Sequence, residues 1–416
     1  MRPTLRTVLI LGTAILAGIS SQSRELAQPA SKVLLELQDG DRIAYYGNTL
    51  LERDRHYGML ETMFRSRFPG RKLTFRNLAW PGDTVYVQLR PLNFGSMELH
   101  LKAQKPSIIL VSFGNNEAYD GPAGLQAYLK AYRRQLEMLT RTGAKIIILS
   151  PIRHEDLGAP FPNPSAYNEN ARTYSEATRQ LARETGALYI DLYNSVIPQT
   201  TATSASLTEN GVHLNRYGYW RLSEVLAAQL GLTLRWQVVL DFPKQQLVTA
   251  QGTQLQHLNW KADGFSFTAR DLILPNPAPE GAPENADHEA AHRRLQISGL
   301  PAGTYELLCD DKPIARASAR EWQQGLVLTA DPAYQQVREL RQKVIEKDLL
   351  FFHRWRAHNG EYIYGRRSKP GGGNAGNPTF PSEFAELDRL LVQTDIHLDH
   401  LASPQTRTYT LRRVEP

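Results

Sequence analysis

The sequence predicts an α/β fold built on a parallel sheet, followed by an antiparallel β-rich module. Between about residues 40 and 230, short apolar runs alternate with amphipathic stretches at helical spacing. Buried strands covered by helices on both faces produce that pattern. After Gly231 the texture changes to period-two alternation broken by turns such as Pro301-Ala302-Gly303, the mark of half-buried hairpin strands. At 416 residues the chain also exceeds one ordinary domain, so two cores are expected.

Taken in order, RIAYYG (42–47) reads as a strand and HYGMLETMFRSRF (56–68) as an amphipathic helix. KLTFRNLA (72–79) is a second strand, and SIILVSFG (107–114) is an almost continuous apolar run suited to a strand buried on both sides. Leu125, Tyr128, Leu129, Tyr132, Leu136 and Leu139 recur at helical spacing, and the helix ends by Gly143. KIIILSP (145–151) is another buried strand; a helix over 166–185, the strand ALYIDL (187–192) and a helix over 215–230 complete the unit. In such sheets the ligand crevice lies beyond the carboxyl ends of the strands, where Gly47, Gly114 and Pro151 fall.

The β-rich part is interrupted by PNPAPEGAPENADHEAAH (275–292), which is polar enough to be expected as a mobile loop. A helix follows over 333–354, and the remainder, with SKPGGGNAGNPTFP (368–381), is expected to be largely loop, with a glycine-rich flap near residue 371. The organisation expected is a signal peptide (1–30), an α/β domain (31–231), a β-rich accessory module (232–332) and a tail (333–416). The single cysteine, Cys309, alternates with Tyr305 and Leu307 and is expected as a buried thiol. Lys and Arg are scattered despite a net charge of +6, so no nucleic-acid partner is expected.

The N-terminus carries Arg2 and Arg6, then an apolar run from Val8 to Ile19, then small polar residues. That is the layout of a secretory signal peptide, cleaved between Ile19 and Ala30; a retained membrane anchor is the alternative. The run falls short of the ~20 residues a bilayer span needs. An exported, periplasmic or extracellular protein is therefore expected, with no stable membrane insertion after cleavage.

Four short segments carry chemistry: Gly47-Asn48-Thr49-Leu50; NLAWPGDT, containing Gly82; Gly114-Asn115-Asn116-Glu117; and LTENGVHLNRYGYW, containing His213. Acyl transfer needs an exposed hydroxyl, a base, an orienter for that base and donors for the oxyanion. Thr49 offers the hydroxyl and His213 the base, while the amides of Thr49 and Gly82 and the side chain of Asn116 offer the donors. Each segment also has a bland reading, because Gly-Asn and Asn-Asn pairs favour turns and helix starts.

In this order, the four segments resemble the blocks of the SGNH, or GDSL, hydrolase family over about residues 40–230. The resemblance implies a flavodoxin-like three-layer α/β/α fold, no metal or other cofactor, and activity as an esterase, lipase or carbohydrate deacetylase. It places Thr49 at the nucleophile, Gly82 and Asn116 at the oxyanion hole and His213 at the base. Four positions depart from the family pattern. Thr49 stands where the family has serine, Asn48 where it has the preceding aspartate, Asn210 where it has the aspartate that orients the histidine, and Glu117 where the third block ends in aspartate. Threonine keeps the hydroxyl but adds a methyl that restricts χ1. Asn210 cannot stabilise an imidazolium, although Glu209 beside it offers a carboxylate.

Two readings stay open. The first is an exported hydrolase with a Thr49–His213 dyad, acting on an acyl ester, preferably acetyl, of a small molecule or polysaccharide. The second is an SGNH-fold carbohydrate-binding or scaffolding protein with impaired chemistry. In the tail, EKDLLFFHRWRAHNGEYIYGRR (346–367) is expected either to pack on the first domain through Phe351, Phe352 and Trp355 or to bring Arg354, Tyr362, Tyr364 or Arg366 to the cleft.

Overall fold

The apolar run at 107–114 becomes β3 (Ile108–Ser112), the middle strand of a five-stranded parallel sheet. The computed structural model describes residues 33–90, 94–199, 205–356 and 379–414, with the backbone alone for 379–382. The signal-peptide segment, Tyr362, Tyr364, Arg366 and the glycine-rich stretch near 371 lie outside the described residues.

Around β3 are β1 (Arg42–Gly47), β2 (Thr74–Asn77), β4 (Lys145–Leu149) and β5 (Leu188–Ile190), in the spatial order β2-β1-β3-β4-β5. Pairing is parallel throughout, for example Tyr45 with Leu110 and Val111 with Ile148. This is the flavodoxin-like doubly wound order. Successive side chains on a strand point to opposite faces, and the cores divide accordingly. Ile43, Tyr45, Ile108, Leu110, Ile147 and Leu149 enter one cluster. Ala44, Tyr46, Ile109, Val111, Ile146 and Ile148 enter the other.

The first face is covered by α1 (Thr49–Glu52), α2 (Met59–Arg67) and α6 (Arg216–Gln229). The second is covered by α3 (Met97–Gln104), α4 (Gly121–Thr140) and α5 (Ser165–Thr185). Each large aliphatic side chain moved out of water into these layers contributes about 1.5–3 kcal/mol, which is why near-continuous apolar strands were a reliable signal here. Tight turns and the short helix α3 carried too little periodicity to be expected.

Beyond residue 231 the chain forms two sheets around a shared core. One contains β6 (Trp236–Asp241), β7 (Gln246–Gln251), β10 (Arg293–Ser298) and β13 (Leu326–Val327), ordered β13-β10-β6-β7. The other contains β8 (Thr253–Lys261), β9 (Gly264–Asp271), β11 (Thr304–Cys309), β12 (Lys312–Ser318) and β14 (Thr406–Val414), ordered β12-β11-β14-β9-β8. Antiparallel pairing predominates as expected, but β6 and β10 run parallel. Trp236, Val238 and Ile297 of one sheet meet Phe265, Leu307 and Tyr409 of the other. Cys309 lies in that core, and burial pushes its thiol up to about 12.

Two expectations are corrected. The 275–292 excursion packs rather than moving freely. Asn276 is fully buried, its carbonyl accepts from Trp220 Nε1 at 2.9 Å, and its amide donates to Ser223 Oγ at 3.0 Å and Glu224 Oε1 at 2.8 Å. A helix, α7 (Ala286–Ala290), lies within it, and Ala286 joins the core of the first domain. The alanines and prolines that made the stretch look featureless are small enough to lie flat against that domain.

Helix α9 (Pro332–Trp355) falls where a helix was expected, but the remainder is not largely loop: α10 (Thr379–Leu401) pairs with α9, and β14 enters the second sheet between β11 and β9. The helices cover the β2 edge of the parallel sheet, an exposure that proteins normally block. Lys347 Nζ donates to the Phe75 carbonyl at 3.2 Å, and Arg65 Nη2 donates to that of Leu73 at 2.8 Å. Arg76 and Asp395 add a buried ion pair at 2.6 Å.

Candidate active site

β1 ends at Gly47, whose φ of 144° and close approach to β3 exclude a side chain: a Cβ there would lie 2.2 Å from the Ser112 carbonyl oxygen. The turn lets Asn48 N–H donate to that same oxygen at 3.2 Å. Asn48 then caps α1, its Oδ1 accepting from Leu50 N at 3.2 Å, while its Nδ2 is buried without a partner among the described residues. Asn48 thus performs the helix-start role that Asx residues favour. Thr49, half-buried, is the first helical residue and points its hydroxyl outward from the strand end.

The second segment meets it there. Gly82 N–H donates to Thr49 Oγ1 at 3.2 Å, with φ of 76° and no atom near the position a Cβ would take. The third segment is joined to this loop twice. Asn116 Nδ2 donates to the Asp83 carbonyl at 3.1 Å, and buried Glu117 accepts from Val85 N at 2.8 Å and Gly114 N at 2.7 Å. Burial pushes the Glu117 carboxyl up. Glu117 therefore fixes the Gly82 loop to the Asn116 turn, a role its sequence position did not disclose.

Asn116 Nδ2 carries two hydrogens, so one remains for an oxyanion. A small pocket of about 50 Å³ brings Thr49, Asn116 and His213 together with Arg53, Tyr119 and His154. Among the described residues no hydrogen bond joins Thr49 directly to His213. Arg53, Tyr119 and His154 had no sequence signal beyond proximity to the four segments. His154 stacks on Tyr167 with ring centroids 3.5 Å apart, and Tyr119 leans on Tyr167 at 4.8 Å. Burial, with the neighbouring His213, lowers His154 to about 4.

The fourth segment settles which atoms Asn210 presents. Its Oδ1 accepts from Val212 N at 3.1 Å and His213 N at 2.9 Å, and its Nδ2 lies 3.2 Å from His213 Nδ1. Exchanging the amide atoms would turn an N–H toward two N–H donors, so the network fixes the orientation. An amide nitrogen only donates; His213 Nδ1 must accept, and the neutral ring carries its proton on Nε2. Burial and Arg53 hold the His213 pKa below its usual 6.5, opposed by Glu209.

Glu209 itself is engaged elsewhere. Its carboxylate accepts from Arg53 Nη2 at 2.7 Å and Tyr57 OH at 2.7 Å, and these partners hold it below the usual carboxylate range. Only its backbone reaches the histidine, through Glu209 N–H to the His213 carbonyl at 2.8 Å. The loop is braced from below by Glu155, which accepts from Leu207 N at 3.1 Å and Thr208 N at 2.9 Å.

Among the described residues, the tail reaches the site from behind through Arg356. Arg356, at the end of α9, lies 4.0 Å over the Trp80 ring and donates to the Ala79 carbonyl at 2.7 Å, three residues before Gly82. Phe351 and Trp355 pack into the core of the first domain, whereas Arg354 pairs at the surface with Asp388 at 2.7 Å.

A flavodoxin-like doubly wound sheet presents a hydroxyl, an imidazole and amide donors at its carboxyl edge, the set of groups that acyl transfer needs. Residues 40–221 match the GDSL-like lipase/acylhydrolase family. Comparison with curated proteins gives no match. Among solved structures, the chain is similar to a gut microbial diltiazem-metabolizing enzyme at 16% identity and a TM-score of 0.70, over 92% of this chain and 99% of that one. The whole architecture, sandwich and tail included, therefore recurs in a known fold. An acetylxylan esterase from Geobacillus stearothermophilus, solved as a catalytic mutant, aligns at 16% identity and a TM-score of 0.38, over 47% of this chain and 97% of that one.

Proposed function

We propose that the chain is an exported ester hydrolase specific for short acyl groups, acetyl above all, carried on a carbohydrate. The observation behind this reading is the convergence of Thr49, Asn116 and His213 on one pocket, with the Gly82 N–H 3.2 Å from the Thr49 hydroxyl. A pocket of about 50 Å³ suits an acetyl group and little more. The exposed Tyr119 ring at its side suits the face of a sugar. Export rests on the N-terminal layout of basic, apolar and small residues.

In the reaction, Thr49 Oγ attacks the ester carbonyl carbon as His213 Nε2 takes its proton. The amides of Thr49 and Gly82 and Asn116 Nδ2 receive the oxyanion. The imidazolium returns the proton to the departing alcohol, and water repeats the sequence on the acyl-threonine. The first step requires a free lone pair on Nε2, hence the proton on Nδ1, which Asn210 Nδ2 opposes. In a serine protease the corresponding aspartate-to-asparagine exchange costs about 10⁴ in rate through the same tautomer fault. Slow hydrolysis is therefore the expected behaviour. The same observation supports the second reading, a carbohydrate-binding protein with the chemistry lost.

Turnover of 4-nitrophenyl acetate by the wild type beside Thr49→Ala and His213→Ala separates the two. A wild-type rate well above both variants supports the hydrolase; equal rates in all three leave the binding reading.

A further inference from the structure

A larger cavity, of about 510 Å³, lies between the 275–292 segment, the start of α6 and one face of α9. Arg338, Arg341, Gln342 and Ile345 line it from α9 at helical i, i+3, i+4 and i+7 spacing, and Arg216 lines it from α6. Its size falls within the ~300–1,000 Å³ usual for small-molecule sites. Of the four chemical segments only the fourth contributes, through Arg216; Thr49, Gly82, Asn116 and His213 do not line it. Tyr57 links the two neighbourhoods: it lines this cavity, stacks on Tyr219 at 4.9 Å and donates to Glu209.

Three carboxylates line the cavity, Glu280, Glu284 and Asp287, yet none of them pairs with Arg341. Asp287 accepts from Ala278 N at 2.7 Å and lies 3.6 Å from Arg338. Glu280, 95% exposed, stands at the rim 4.0 Å from Arg216. Arg341 has no carboxylate within ion-pair distance among the described residues; its Nη1 meets only the Pro277 carbonyl at 3.0 Å and Met59 Sδ at 3.4 Å. Burial, then the like charges of Arg338 and Arg216, lower Arg341 to about 10. A guanidinium fork with free donors, partly stripped of water and facing other guanidiniums, is a receptor for an oxyanion.

We infer that this cavity is a second ligand site, separate from the ester pocket, which binds a sugar-sized molecule bearing a carboxylate or phosphate through Arg341, with Arg338 and Arg216 at its mouth. The inference does not depend on hydrolysis, because Thr49 and His213 take no part in it.

Isothermal titration of the full chain with glucuronate and with glucose 6-phosphate tests it, neutral glucose serving as control. Saturable binding of at least one anion is expected, weakening as salt is raised and unchanged in Thr49→Ala. Whichever anion binds identifies the charged group the site selects. Arg341→Gln and the more exposed Arg338→Gln should each weaken binding about tenfold or more, the loss expected of a charge-assisted hydrogen bond. Arg338→Gln keeps the test decisive should Arg341→Gln fail to fold. Absence of saturable binding by both anions, equal binding of glucose, or wild-type affinity in Arg338→Gln and any folded Arg341→Gln would overturn the inference.

Discussion

Asn210 decides more than any other residue in the site, because its amide is held by two backbone donors and so presents nitrogen, not oxygen, to His213. Asn210→Asp places a carboxylate oxygen against Nδ1 and moves the ring proton there. A gain in kcat for an activated acetyl ester of about 10² or more is expected, within the roughly 10⁴ that the tautomer fault can cost. The pH profile should shift with it. In the wild type, burial and Arg53 depress His213, so kcat/KM rises with pH through a midpoint below 6.5 as the ring deprotonates. The new carboxylate favours the imidazolium and carries that midpoint to higher pH. The sequence led to Thr49, Asn210 and His213 as candidates, and the structure brings Thr49 and His213 to one pocket with Asn210 against the ring. The orientation of one amide was not, since it depends on hydrogen bonds from Val212 and His213 that no spacing encodes. Glu209 shows the same limit: adjacency suggested a rescue, yet its side chain serves Arg53 and Tyr57.

At the scale of elements, α9 is fastened to α2 and β2 by buried charge. Lys347 Nζ lies 2.6 Å from both Glu61 and Asp348, and all three are buried. Removing one partner of such a network leaves charge without compensation in a medium that solvates it poorly. Lys347→Met is expected to lower unfolding free energy by about 3–5 kcal/mol, measurable by urea denaturation. Asp54 adds a pH dependence. Burial, and Asp348 nearby, raise it from 3.8 to about 8, although Met59 and Leu60 amides donate to it. The folded state therefore holds a proton that the unfolded chain releases near 3.8. The stability this group contributes is complete below that value and is lost as pH rises toward and through about 8. Asp54→Asn retains an acceptor for the amides and should flatten that part of the Tm-against-pH curve. Strands buried on both faces announced themselves by unbroken apolar runs. The packing of 275–292 did not, because its anchors, Asn276 and Ala286, are ordinary loop residues until Trp220 and the first core are placed beside them.

The whole molecule is tied together by its last segment. β14 lies between β11 and β9 inside a five-stranded sheet, so residues 406–414 complete a sheet whose other strands begin at residue 253. Partners so far apart along the chain cannot be paired from periodicity, which explains why the tail looked like loop. A chain truncated after residue 403 should lose Tyr409 and Leu411 from the sandwich core and fail to unfold cooperatively in calorimetry. The tail also reaches the site, since Arg356 grips Trp80 and the Ala79 carbonyl just ahead of Gly82. Arg356→Ala is expected to lower kcat for ester turnover by about tenfold while leaving KM nearly unchanged, the mark of an interaction that matters at the transition state.

Covalent capture tests the proposed nucleophile directly. Treating the wild type, Asn210→Asp and His213→Ala with an alkyl fluorophosphonate and mapping the adduct by peptide mass spectrometry should place the phosphonyl group on Thr49. Labelling should be slow in the wild type, faster in Asn210→Asp and absent in His213→Ala. An unlabelled Thr49 in both His213-containing proteins, or an adduct at another hydroxyl, would contradict the assignment.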